Sequence, residues 1–213
     1  MSPTLPHAVH EDESLLVLDK PAGLLAVPGR GPDKADSLAR RVQVLRPQAR
    51  VVHRLDMATS GLMAMALGAA AERRLARDFA LRRVRKRYVA VVAGRMAAPV
   101  GAWFEIDLPL AADWPNRPRQ RVDRARGRPS LTRARVLEHG ADSTRLELEP
   151  VTGRSHQLRV HLLALGHPIL GDALYADAAQ RERAPRLLLH AAGLALAHPS
   201  TGAPLAFASE PPF

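Results

Sequence analysis

The stretch from Val51 to Gly61 constrains the fold more than any other part of the chain. It begins with two β-branched residues and ends in a polar Thr-Ser-Gly, which is typical of a short strand that runs into a turn. If the strand continues to Asp56, its period of two places Arg54 and Asp56 on the same face. Taken alone, this is an ordinary ion pair at a strand end, and such pairs contribute little to stability.

The charge of the chain indicates a polyanionic partner. Its 31 Lys and Arg residues outnumber its 21 Asp and Glu residues, which gives a net charge of +10. A codon bias explains the preference for Arg over Lys, but it does not explain the excess of basic over acidic residues. No basic amphipathic helix stands out, so nucleic acid is expected ahead of a membrane surface. With only 4% aromatic residues, a sheet of stacking platforms is the less favoured way to read RNA.

The composition also excludes several classes of protein. The chain has no cysteine, which rules out disulfides, thiolate zinc sites and a thiol nucleophile. Its N-terminus lacks a basic region followed by an apolar run, and no stretch approaches the roughly 20 apolar residues of a membrane span. We therefore expect a soluble cytoplasmic protein that has no contact with membranes.

Hydrophobic patterns predict a mixture of strands and helices. Buried strands are expected over Leu15–Leu18 and Leu62–Leu67. Helices are expected over Leu38–Leu45, capped by Asp36 or Ser37, and over Ala69–Phe79. The segment from Leu131 to Glu149 alternates on either side of a polar turn, which is the pattern of a β-hairpin.

The segment after that hairpin predicts a helix that carries an arginine. Its cap and apolar stripe are supplied by Ser155, Leu158, Leu162 and Leu165. Arg159 lies off that stripe. His156 and His161 are five residues apart, and no acidic partner completes a metal site on the helix, so no metal is expected.

A basic segment lies between the two halves of the chain. Between Ile106 and Leu137 lies a string, Asp107 to Arg128, that is too rich in Pro and Arg for a core strand. Arg117, Arg119 and Arg121 alternate, so an extended chain aims all three towards the phosphates of a nucleic acid. A disordered basic loop is the alternative that the composition leaves open.

Several of these motifs together resemble those of the RluA-type RNA pseudouridine synthases. His-Arg-Leu-Asp followed by Thr-Ser-Gly resembles the catalytic motif of that family. Lys-x-Tyr ending at Tyr88 resembles the second motif, and Gln-Leu-Arg ending at Arg159 resembles the third. The Lys-Pro-x-Gly-Leu segment that begins at Lys20 is also similar to the family pattern. The resemblance covers the chain from about Val9 to Phe213.

The resemblance implies an α+β fold, with a central, mainly antiparallel mixed sheet flanked by helices and a catalytic cleft across its middle. It also implies that residues 1–213 form a single catalytic domain without an appended N-terminal RNA-binding domain. We expect this domain to act as a monomer.

The resemblance assigns roles to individual residues. Asp56 becomes the nucleophile, Tyr88 stacks on the flipped uracil and shares the proton chemistry, and Arg159 pairs with Asp56. RNA contacts are expected from His53, Arg54, Arg117, Arg119, Arg121, Arg154, His156 and Gln157. One of Leu187, Leu188 and Leu189 is expected against the target base. No cofactor is required, because the reaction has no net redox change and transfers no outside group.

The expected function is the isomerisation of uridine to pseudouridine in structured RNA. The string Asp-Trp-Pro-Asn-Arg-Pro resembles the subfamily that acts on both large-subunit ribosomal RNA and the anticodon stem-loop of tRNA. Action on ribosomal RNA only, or a non-catalytic role in RNA binding or ribosome assembly, are the alternatives. A glycoside hydrolase usually needs two carboxylates, and no second acid adjoins the motif. Whether Asp56 attacks the sugar or the base, or assists a glycal route, stays open.

Overall fold

The computed structural model describes residues 7–31 and 34–213. Its strands are β1 (Ala8–Glu11), β2 (Leu15–Lys20), β3 (Ala49–Val51), β4 (Ser60–Leu67), β5 (Arg85–Ala93), β6 (Trp103–Asp107), β7 (Leu110–Ala112), β8 (Gln120–Val122), β9 (Leu131–His139), β10 (Ser143–Pro150), β11 (Leu189–Ala197) and β12 (Pro204–Ala208). Its α-helices are α1 (Leu38–Leu45), α2 (Ala69–Ala80), α3 (Gln157–Ala164) and α4 (Ala178–Glu182). The chain divides into two compact units: residues up to 86 with 191–212, and residues 87–190 with Phe213.

The first unit is organised around β4. Its strand order is β1-β2-β4-β11, with β3 also paired to β4 and β12 paired to β11. The pairs β1–β2, β2–β4, β3–β4 and β11–β12 are antiparallel. Every residue of β4 is buried, as expected for a continuous apolar run covered on both faces. Its side chains Leu62, Ala64 and Ala66 join Ala71 and Leu75 of α2 in one hydrophobic cluster.

A glycine at the start of β4 permits close packing of two strands. Gly61 has a φ of 108°, a conformation that L-residues with a side chain rarely adopt. A Cβ atom at this position would also clash with the backbone of Ala191 in β11. The last residue of the Val51–Gly61 motif is therefore a glycine for two independent steric reasons.

The second unit contains the strand order β5-β10-β9-β6 and a separate two-stranded sheet, β7–β8. The pairs β5–β10, β9–β10, β6–β9 and β7–β8 are antiparallel. The β9–β10 hairpin closes with the amide of Gly140 donating to the carbonyl of Ser143 at 2.9 Å. Helix α3 follows β10. The chain passes from one unit to the other within β5 and again within β11.

The predicted fold class and most predicted elements are confirmed. The protein is α+β, with a mainly antiparallel sheet and a few helices. Helix α1 has the predicted bounds, and Ser37 caps it by accepting a hydrogen bond from the Arg40 amide at 3.2 Å. Among the described residues, no helix is both long and apolar enough to cross a membrane.

Candidate active site

The nucleophile candidate Asp56 lies in the loop between β3 and β4. Its backbone carbonyl accepts a hydrogen bond from the Thr59 amide at 3.1 Å, which forms a turn. Asp56 is partly buried, whereas Arg54 is exposed. The strand that was expected to extend to Asp56 is shorter than predicted, and β3 ends at Val51. The alternation of a strand therefore does not set the directions of these two side chains.

His53 explains why the strand ends early. Its Nε2 accepts a hydrogen bond from the Ala64 amide of β4 at 2.9 Å, so a side chain replaces the carbonyl that a longer β3 would supply. The imidazole also stacks on Phe79, with ring centroids 4.4 Å apart. Burial and the nearby charge of Lys86 lower the pKa of His53 to about 3. We therefore assign neutral His53 to the support of the loop, and its expected contact with RNA stays a prediction.

A buried lysine supports the same loop. Lys20 is fully buried, and its ammonium donates to the carbonyls of Pro21 at 2.8 Å, Leu24 at 2.8 Å and Met57 at 3.2 Å. The last of these residues follows Asp56 directly. Its carbonyl also accepts from the Gly23 amide at 2.8 Å. The Lys-Pro-x-Gly-Leu segment thus holds the backbone beside Asp56, and this role of Lys20 was not predicted from the sequence.

In the second unit, Arg159 on α3 forms a buried ion pair with Asp172. Its Nε and Nη2 donate to the two carboxylate oxygens at 2.8 and 2.7 Å, and the side chains are only 4% and 1% exposed. Asp172 also accepts from the amides of Leu174 at 2.9 Å and Tyr175 at 3.2 Å. The carboxylate is therefore fixed by the backbone, and it in turn fixes the guanidinium. Asp172 was not among the predicted site residues, because its contact with Arg159 depends on tertiary structure.

The start of α3 differs from the sequence prediction. Ser155 does not cap the helix; the cap position is occupied by His156, in the left-handed conformation with a φ of 54°. Gln157 is 3% exposed. Its amide group bonds to Thr152, to the Arg154 amide and to Leu131 and Thr132 of β9. All of its polar atoms serve the scaffold, so we withdraw the expected contact of Gln157 with RNA.

His161 continues this scaffold on the same helix. Its Nε2 lies 3.0 Å from the carbonyl oxygen of Leu108, and its Nδ1 lies 3.0 Å from Thr132 Oγ1. Because a carbonyl only accepts, Nε2 carries the proton and the Thr132 hydroxyl donates to Nδ1. Burial lowers the pKa of His161, so the ring is a neutral structural link. No group of three or more potential metal ligands occurs in residues 7–31 and 34–213.

Tyr175 links Arg159 to the β7–β8 hairpin. Its hydroxyl accepts from the Gln120 amide of β8 at 2.8 Å and lies 2.6 Å from His156 Nδ1. The Arg159 guanidinium carbon lies 5.0 Å from the centre of the Tyr175 ring. Tyr175 thus contacts both the basic hairpin and the buried Arg159.

The three alternating arginines belong to an ordered hairpin and not to a disordered loop. Arg117 lies over the ring of Trp114, and Arg121 pairs with Asp123 at 3.2 Å. Arg117 and Arg119 lie in the connection, and only Arg121 lies within β8. The single extended run that the spacing suggested is therefore not present. Arg154 is partly buried, and its Nε donates to the Pro129 carbonyl at 3.4 Å.

Two further predicted site features lie on strands of this unit or next to them. Tyr88 is a partly buried residue of β5 that pairs with Leu148 of β10. In the leucine run before β11, Leu187 and Leu189 are buried, whereas Leu188 is partly exposed. Leu188 is therefore the leucine of this run with accessible surface for a ligand.

Comparisons with known proteins give one consistent result. The family model described as RNA pseudouridylate synthase matches residues 14–164. The dual-specificity RNA pseudouridine synthase RluA of Escherichia coli strain K12 is 51% identical over 206 residues, which are 96% of this chain and 93% of that protein. The protein of the same name from Yersinia pestis is 50% identical, with coverage of 96% and 98%. The structure of human RNA pseudouridylate synthase domain containing 1 superposes with a TM-score of 0.82 at 31% identity, covering 100% of this chain and 86% of that one.

Proposed function

The chain belongs to the RNA pseudouridylate synthase family, and we propose that it converts uridine to pseudouridine in both large-subunit ribosomal RNA and the anticodon stem-loop of tRNA. The observation that carries the proposal is the similarity, over nearly the whole chain, to enzymes named as dual-specificity RNA pseudouridine synthases. The reaction makes the chain an isomerase that uses RNA as its substrate.

In the proposed mechanism, Asp56 is the nucleophile. The reaction breaks the bond between the ribose and a ring nitrogen of uracil, turns the base, and forms a bond from the ribose to a ring carbon. It needs an ionised carboxylate held close to the ribose in a site that excludes water. The hydrogen bonds of Lys20 and His53 support this role, because they fix the backbone on both sides of Asp56.

We propose that Arg159 supplies the positive charge that keeps Asp56 ionised during the reaction. A carboxylate taken out of water favours its neutral form unless a cation lies nearby. Arg159 suits this task since Asp172 holds its guanidinium in one orientation. In this proposal Asp172 is a positioning residue that acts through Arg159.

The target base must leave the RNA stack before it can react, at a cost of a few kcal/mol. We propose that the exposed Arg54 assists this extrusion, that Tyr88 stacks on the flipped uracil, and that Leu188 contacts it from the leucine run. The partial exposure of Tyr88 and Leu188 supports these roles. Arg117, Arg119, Arg121, Arg154 and His156 are proposed to contact the RNA around the target.

Release of tritium from RNA labelled at the uracil carbon that forms the new bond tests the proposal. We expect release from a ribosomal hairpin and from an anticodon stem-loop, and none from either RNA with Asp56→Asn, which removes the charge at nearly constant shape. RNA affinity of that variant should persist. Turnover by a verified Asp56→Asn sample would refute the assignment of the nucleophile. Release from ribosomal RNA only would remove dual specificity and leave the isomerase activity in place.

A further inference from the structure

A tryptophan with most of its surface in water stands at the tip of the β7–β8 hairpin. Trp114 is 70% exposed and begins a short 3-10 helix, Trp114–Asn116. The other tryptophan of the chain, Trp103, is only partly exposed. Transfer of an indole ring out of water is favourable, and large exposed apolar groups often mark binding sites. Its position therefore calls for a functional explanation.

The tip that carries Trp114 is held by its own hydrogen bonds. The Asn116 amide donates to the Asp113 carbonyl at 3.0 Å, and the Arg119 amide donates to the Asn116 carbonyl at 3.0 Å. The Asp113 amide donates to the Arg119 carbonyl at 2.9 Å, and the Asn116 side chain donates to the Asp113 carboxylate at 2.9 Å. A ring presented on an ordered tip loses less conformational freedom when it binds a ligand.

One face of the indole is already covered. The guanidinium carbon of Arg117 lies 3.1 Å from the centre of the Trp114 ring, which is a cation–π contact. Because Trp114 remains 70% exposed despite this contact, its accessible surface lies on the opposite face and the ring edges. A flat, water-exposed aromatic face of this kind is where an unpaired nucleobase stacks.

The charge around the ring favours a polyanion. Between Leu110 and Arg128 the chain has six arginines and two aspartates. One of the carboxylates, Asp123, is paired with Arg121 and also accepts from the Ala125 and Arg126 amides. The aromatic face therefore lies within a strongly basic element, next to cations that can bind the phosphates of a stacked nucleotide.

We propose that Trp114 is a stacking platform for one unpaired base of the RNA substrate, with Arg117 on the opposite face of the ring and Arg119 at the adjoining phosphate. The inference rests on RNA being the substrate and adds a base-binding site outside the proposed catalytic residues. The hydrogen bond from the Gln120 amide to Tyr175 anchors this platform beside His156. The stacked base thus positions the RNA relative to the α3 region.

Fluorescence of single-tryptophan proteins tests the inference. Trp103→Phe leaves Trp114 as the only indole, and Asp56→Asn in the same protein prevents turnover during the titration. We expect a stem-loop RNA to quench Trp114 emission, with a midpoint that matches binding measured by RNA anisotropy. In the matched control, Trp114→Phe with Asp56→Asn, the remaining Trp103 emission should not change with RNA.

Affinity provides a second readout. Base–aromatic stacking contributes about 1–3 kcal/mol per base, so Trp114→Ala should weaken RNA binding by about 5- to 150-fold, with Trp114→Phe in between. Unchanged Trp114 emission on RNA binding, or unchanged affinity of Trp114→Ala, would overturn the inference. A blue shift with phosphatidylglycerol vesicles in place of quenching by RNA would also overturn it. Tritium release is measured separately on the protein that retains Asp56. If that protein releases tritium while the Trp114 tests fail, the stacking inference is wrong and the proposed isomerase activity stands.

Discussion

At the scale of single residues, the buried pair of Arg159 and Asp172 has a testable consequence. Asp172→Asn keeps the shape of the side chain but removes one charge of the buried pair that it forms with Arg159, and breaking a buried pair in this way costs about 3–5 kcal/mol. We expect urea unfolding to show a loss of that order. We also expect kcat for pseudouridine formation to fall by about 100-fold, because Arg159 is no longer held in its orientation.

The exposed pair of Arg41 and Asp36 is a matched control. It has the same two-bond geometry, at 2.8 and 2.7 Å, but its Asp36 side chain is 62% exposed. Asp36→Asn should change stability far less than Asp172→Asn does, because water screens an exposed pair, and kcat should not change. Equal losses in the two variants would show that burial of Asp172 does not determine the effect.

His53 makes stability depend on pH. In the folded protein its pKa is lowered to about 3, whereas an unfolded histidine titrates near 6.5. Between these values the unfolded state binds a proton that the folded state does not bind. Stability should therefore fall as the pH decreases from about 6.5 towards 3, by at most about 1.4 kcal/mol per pH unit from this residue.

Urea unfolding of His53→Phe at pH 7.5 and pH 5 isolates this contribution. The variant keeps a ring against Phe79 but cannot accept from the Ala64 amide, so it should be less stable at pH 7.5 by about 1–3 kcal/mol. The decrease in its free energy of unfolding from pH 7.5 to pH 5 should be smaller than that of the parent protein. His161 contributes in the same direction in both proteins, and the difference therefore reports on His53. Identical pH dependence in the two proteins would contradict the structural assignment.

At the scale of elements, the β7–β8 hairpin should bind RNA mainly through phosphates. If Arg117, Arg119 and Arg121 each neutralise one phosphate, replacing all three by Ala should reduce the slope of log K against log salt by about 0.7–0.9 per contact. Different RNAs should be weakened alike, since phosphates carry no sequence information. Binding isotherms at several salt concentrations measure the slope.

A second triple variant removes the same charge elsewhere. Arg40 of α1 and Arg73 and Arg77 of α2 are exposed, and their replacement by Ala lowers the net charge by the same amount. We expect its salt slope to stay near that of the parent protein. If both triple variants lose the same slope, the effect reflects the overall charge of the protein and not contacts of the hairpin.

The elements also show what local patterns predict. The bounds of α1 and the apolar strand β4 follow from hydrophobic periodicity and from Ser37 as a cap, which are properties of neighbouring residues. The end of β3 could not be predicted in this way, because it depends on a hydrogen bond between His53 and a residue of another strand. The prediction that Ser155 caps α3 was wrong for a similar reason, since the start of this helix is held by hydrogen bonds from Gln157 to β9.

At the scale of the whole molecule, the family and its reaction were predictable from short motifs and from charge, while the support of the site was not. The net charge of +10 already indicated a polyanion. In contrast, Lys20 reaches the Met57 carbonyl far along the chain, and Asp172 reaches Arg159 from another segment. Such contacts depend on tertiary structure, and no periodicity in the sequence encodes them.

The whole molecule should read the shape of its RNA as well as a short loop sequence. It has few aromatic residues and, within the part that the structure describes, no sheet of stacking aromatics, while its basic hairpin can bind phosphates placed by a folded RNA. We therefore expect a small stem-loop to be modified efficiently. The same loop sequence in an unstructured strand should have a kcat/KM at least about 10-fold lower, because loop ordering then opposes binding. Tritium release from the two RNAs at matched concentrations measures the ratio, with a stem-loop of unrelated loop sequence as the control. Equal kcat/KM for the hairpin and the open strand would show that the enzyme reads sequence alone.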